Sequence, residues 1–129
     1  MFTINDDKSI YLTRGDIAVI ELSANVSETD AYEFKSGDIV RLKVTEKGRC
    51  DDVVLMKDVR VSSSTPSVDI SLTSSDTRIG DLIHKPKDYW YEIELNPETS
   101  PQTIIGYDES GPKIFRLFPE GDDKYGASV

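Results

Sequence analysis

Residues 38–46 read DIVRLKVTE and residues 88–96 read DYWYEIELN. In the first stretch Val40, Leu42 and Val44 fall on one face and Arg41, Lys43 and Thr45 on the other, the period of two required of a strand with one wet side. In the second, Tyr89, Tyr91, Ile93 and Leu95 share a face opposed by Trp90, Glu92 and Glu94. Residues 67–77, SVDISLTSSDT, begin the same way, with Val68, Ile70 and Leu72 against Asp69 and Ser71. Such strands build antiparallel sheets with one solvated face. The predicted core is Val40, Leu42, Val44, Val68, Ile70, Leu72, Tyr91, Ile93 and Leu95.

Working outward, residues 9–12 and 17–24 are apolar segments joined by Thr13, Arg14, Gly15 and Asp16, a hairpin turn or a strand corner in which Gly15 permits positive φ. Residues 25–37 form a polar connection around the aromatic pair Tyr32 and Phe34, closed by a turn at Ser36, Gly37 and Asp38. Residues 46–52 are turn-like, and residues 53–61 form the return strand. Thr73 followed by Asp76 is a capping signature, which predicts one short helical turn ended by Gly80. Strands at 102–107 and 113–118 complete the pattern, joined by a turn at 108–111. Seven or eight strands with no long helix predict an all-β, antiparallel β-sandwich over residues 1–119, with residues 120–129 as an acidic, mobile tail.

The 129 residues suit one domain. A net charge of −9, with cations dispersed among carboxylates, excludes the clustered basic surface that nucleic acid or an anionic membrane requires. Cys50 is the only cysteine, so no intrachain disulfide and no multi-cysteine metal site can form, as suits a reducing cytosol. The N-terminus MFTINDDK has neither a basic nor an apolar signal region, and the apolar runs are too short to span a bilayer. The formal glycosylation acceptor at Asn25 is accordingly expected to be unused.

No catalytic, cofactor-binding or metal site is predicted. His84, the sole histidine, has no serine or cysteine elbow beside it. The pairs Asp6–Asp7, Asp51–Asp52 and Asp122–Asp123 lack the alternating oxygen ligands of a calcium loop and read as solvated loop carboxylates. The glycines lie too far apart to cradle a phosphate. Arg14, Gly15 and Asp16 match a tripeptide that some adhesion receptors read and that a hairpin tip would display, although a turn that needs glycine explains it as well. Trp90 faces away from Tyr89 and Tyr91; it is either an interface anchor or a side chain covered by a loop or a second sheet. Trp90, Tyr91, Tyr107 and Arg14 are the candidate interface residues. Trp90, Tyr91, Tyr107 and Tyr125 are the stacking candidates if the chain is instead a carbohydrate-binding or adhesion module.

The turn at residues 13–16, the strand GDIVRLKV at 37–44, the stretch LTSSDT at 72–77 and the strand DYWYEI at 88–93 follow one another in an order that resembles a tailed-phage family. Over residues 10–118 the chain looks like the N-terminal domain of phage baseplate upper proteins and related small prophage tail proteins of Gram-positive bacteria. The resemblance implies an immunoglobulin-like sandwich and a non-enzymatic structural role. Its partners would be other tail or baseplate proteins, with homo-oligomers compatible, and its place the virion after synthesis in the host cytoplasm. Longer members carry a receptor-binding protein beyond a helical stalk. Up to Val129 this sequence shows no coiled-coil heptads, so docking and assembly are expected rather than receptor-binding-protein recruitment.

Overall fold

A computed structural model describes residues 2–120 apart from 26, 28 and 82. In chain order its elements are β1 (Phe2–Ile4), β2 (Ile10–Thr13), β3 (Ala18–Leu22), β4 (Ile39–Glu46), β5 (Arg49–Arg60), β6 (Val68–Leu72), α1 (Ser74–Thr77), β7 (Lys87–Leu95), β8 (Gln102–Ile105) and β9 (Lys113–Phe118). They form an all-β sandwich. A seven-stranded sheet runs β1-β2-β9-β7-β4-β5, with β8 also on β7, and a two-stranded sheet of β3 and β6 lies against it.

The two opening stretches are neighbours at the centre of the large sheet. β4 and β7 pair antiparallel from Val40 opposite Leu95 to Glu46 opposite Tyr89. All nine predicted core residues are buried between the two sheets, and Tyr89 joins them. The inner faces of β3 and β6 supply Ala18, Ile20 and Leu22 with Val68, Ile70 and Leu72. Strands lie about 4.8 Å apart, so two of them span only about a third of the width of six. The connections finish the cover with the buried side chains of Phe34, Val61 and Ile79. Tyr32 and Phe34 meet edge to face at 5.2 Å. Asp38 ties this connection down, accepting from the Tyr32 hydroxyl at 2.7 Å, the Lys35 N–H at 2.9 Å and Asn96 Nδ2 at 3.2 Å. The bond to Asp38, with burial second, pushes the Tyr32 phenol up to about 12.

The helical turn forms as its capping signature requires. Asp76 N–H donates to the Thr73 hydroxyl at 3.1 Å, and Thr73 N–H donates to the Asp76 carboxylate at 2.9 Å.

Three expectations need correction and one open alternative is settled. β1 is a ninth strand, too short at three residues to show a period of two. β2 and β9 pair parallel, so the large sheet is mixed rather than wholly antiparallel. The turn at 13–16 is a corner and not a hairpin, because β2 belongs to one sheet and β3 to the other. The turn after β4 is only Lys47 and Gly48: Arg49 already pairs with Glu46, and register shifts near Thr45 absorb residues that read as loop. The proposed tail lies outside the described residues from 121 onward, while Glu120 is held by Arg14 and Arg78 at 3.0 and 3.1 Å.

Leu42 and Ile93 are fully buried, so Leu42→Ala or Ile93→Ala should cost about 2–5 kcal/mol in urea unfolding. Lys43→Ala on the opposite face should stay within about 1 kcal/mol.

Candidate functional site

The outer face of the large sheet is built from the polar half of the alternating pattern, and most of its charges are paired across neighbouring strands. Arg41 of β4 forks onto Asp58 of β5 at 2.8 and 2.9 Å. Lys43 meets Glu92 of β7 at 3.0 Å. Arg116 of β9 forks onto Asp88 of β7 at 2.6 and 3.1 Å and lies 5.0 Å over the Tyr11 ring. These are directly opposite residues, the geometry in which opposite charges support a sheet. The arginine bonds hold the Asp58 and Asp88 carboxyls below their ordinary value against the upward push of burial.

Trp90 stands in the middle of this face, between Thr45 and Ile114. Its position follows from β7 alternation; its cover comes from the far edge of that strand. β8 pairs with residues 93–95 of β7 and β9 with residues 87–91, both antiparallel, so together they occupy one edge of β7 with residues 106–112 as an excursion between them. Gly106 lets the chain leave β8 sharply, since a Cβ there would lie 2.6 Å from Thr103 Cγ2. Asp108 and Gly111 close the excursion through reciprocal backbone bonds of 2.8 and 3.2 Å, and Lys113 Nζ holds the Asp108 carboxylate at 2.8 Å.

The excursion brings Tyr107 to Trp90, ring centroids 6.2 Å apart at 65°. Tyr107 is 74% exposed, whereas the Trp90 Nε1–H is buried and has no acceptor among the described residues. A cleft of about 260 Å³ opens here, bordered by both rings, Pro112, Lys43, Glu92 and Lys113. An exposed aromatic ring beside an indole, framed by charges of both signs, is suited to receive an apolar group.

Of the four candidate interface residues, the structure brings Trp90 and Tyr107 together. Tyr91 borders the cleft only as a strand neighbour: its side chain points inward and is buried, and its hydroxyl donates to the Lys8 carbonyl. Burial, with Asp7 adding, pushes that phenol up. Arg14 is elsewhere and is not displayed. It is buried, donating to the Ile79 and Gly80 carbonyls at 3.3 and 2.7 Å and to Glu120 at 3.0 Å. Gly15 N–H donates to the Thr77 hydroxyl at 3.0 Å, so the tripeptide is fastened to α1 because it turns a corner over the core instead of capping a hairpin. His84, Asp51 and Asp52 are exposed, and Tyr125, Asp122 and Asp123 lie outside the described residues. Pro112, Lys43 and Lys113 were not predicted here, because the end of the excursion and β4 are distant in sequence and meet only in the fold. The one local signal was the exposed aromatic of Tyr107 beside Gly106.

The chain matches no family model, no curated protein and no solved structure.

Because Asp58 and Asp88 titrate lower in the folded chain, their contribution to stability is complete above the ordinary carboxylate value of 3.8 and is lost as pH falls through the lower folded values. Thermal melts should therefore show stability dropping below about pH 4, with a shallower drop in Asp88→Asn.

Proposed function

We propose that this protein is a non-enzymatic structural component of a phage or prophage tail or baseplate, acting through protein–protein contacts in virion assembly. The observation that carries the reading is the Trp90–Tyr107 cleft. Around it the charges of the outer sheet face answer one another, yet the cleft leaves an apolar ring in water and a buried N–H without an acceptor among the described residues. A partner that inserts an apolar side chain would cover the exposed ring, and tryptophan and tyrosine are the residues that most often anchor such contacts.

The tail context comes from the order of the 13–16 turn, the 37–44 strand, the 72–77 capped turn and the 88–93 aromatic strand. All four are structural elements of the sandwich. The immunoglobulin-like arrangement implied by the same resemblance, the location in the virion and the tail or baseplate partners belong to this proposal. The carbohydrate-binding alternative needs exposed, coplanar rings. Trp90 and Tyr107 meet at 65° and Tyr91 is buried, which favours a protein contact over a sugar-stacking platform.

Mass spectrometry of purified virions from the producing host should detect the chain. Tyr107→Ala, at an exposed position, should leave stability within about 0.5 kcal/mol. Both Tyr107→Ala and Trp90→Ala should weaken association with the tail partner by about 2 kcal/mol, roughly thirtyfold in Kd, by isothermal calorimetry. Absence from virions, or unchanged affinity in folded variants, would sink the reading.

A further inference from the structure

Among the described residues the second sheet has only two strands, and along one side of the sandwich this leaves an edge of β3 and an edge of β8 with no described strand paired between them. Among the described residues the main chain of β3 pairs only with β6, and β8 only with β7. A groove of about 410 Å³ runs along β8, bordered by residues 102–105 and by residues 23–25 where the chain leaves β3, and it adjoins a slot of about 110 Å³ bordered by residues 20–23, Ile105, Ile4 and Lys8. Consecutive residues alternate between faces, so a wall made of them is a strand edge with its backbone groups presented, not a sheet surface. The inner end of the slot is apolar, with Ile10, Ile20, Leu22 and Ile93 around it.

We infer that this groove accepts an extended segment of another protein as an added strand on β3, with an apolar side chain filling the slot and a lysine or arginine beside Glu21. The free N–H and C=O groups of β3 supply the affinity, and the slot and Glu21 supply the choice of sequence. Glu21 carries the charge part. It stands directly opposite Asp69 in the β3–β6 register, a like-charge pair that destabilises a sheet, and among the described residues neither carboxylate has an ion-pair partner. A cation on a strand added next to β3 would sit beside Glu21 and offset that repulsion. A second copy pairing β3 to β3 brings none, because Ala18–Leu22 contains no lysine or arginine. Lys8, the cation on the groove wall, belongs to a turn rather than to either edge.

The inference shares with the proposed function only the premise that the domain works by protein contact, and it concerns the opposite side of the large sheet from Trp90. It is tested on the full chain with a blocked peptide of about eight residues that alternates valine and threonine and carries one lysine at a threonine position, against the same peptide with glutamate there. Two-dimensional NMR should show saturable shifts and slowed hydrogen exchange confined to the amides of residues 18–22 and 102–105. The lysine peptide should bind about fivefold tighter than the glutamate peptide, and Glu21→Lys should abolish that preference. Either of two results would overturn the inference: no saturable change at β3 with either peptide, or equal affinity for both in the wild type. Protection of β3 that appears with protein concentration alone would overturn it too, in favour of a dimer. Peptide binding at β3 that persists in Trp90→Ala, or assembly that persists without it, separates this inference from the cleft reading.

Discussion

The antiparallel match of β4 to β7 is the constraint on which the rest of the molecule depends. It places Val40, Leu42 and Val44 beside Leu95, Ile93 and Tyr91 on one face, and Arg41, Lys43 and Thr45 beside Glu94, Glu92 and Trp90 on the other. A slip of one residue in either strand would set inward apolar side chains opposite outer-face residues, so the register is defended by burial along its whole length. Asn96 locks its end. With φ at 48°, in the left-handed region that asparagine tolerates, it donates from its N–H to the Ile39 carbonyl at 2.7 Å and accepts the Ile39 N–H on its side chain at 2.9 Å. The core, the paired charges of the outer face and the position of Trp90 all follow from this one alignment.

What could be read from residues alone divides along the same line. Alternation in β4, β6 and β7 told which side chains are inside, because a strand with one wet face writes its geometry into every second residue. The capped turn at Thr73 was readable for a similar reason, since its two reciprocal bonds join residues three apart. The sheet assignment of β2 and β3 was not readable. A turn of four residues containing Gly15 serves a hairpin or a corner equally well, and the choice is made by β9, about a hundred positions away. β1 and the start of β5 escaped notice because three residues, or a strand irregular beside its turn, carry no usable period.

The candidate site was half legible. The outward direction of Trp90 follows from its parity in β7, but its partner could not be known from parity, because Tyr107 arrives on an excursion interrupting the line of β8 and β9. Arg14 misled for the opposite reason: a basic residue in a glycine turn looks displayed. Here the guanidinium is drawn inward by the Ile79 and Gly80 carbonyls, which follow the helical turn, and by Glu120. Local sequence said turn in both cases; long-range packing decided which side chain met solvent.

The parallel pairing of β2 with β9 has a bearing on how the chain comes into being. Ile10 and Leu12 lie beside Phe115 and Leu117, so nearly the whole domain must be synthesised before that side of the large sheet can close. Until then a nascent chain can assemble β4, β5 and β7, which are close in sequence, while the apolar side chains of β2 have no settled place. Folding therefore ends with a long loop closure, a slow step for a sheet protein. The interval before β9 has been made and joined to β2 is when this domain most exposes surface to aggregation or chaperone capture.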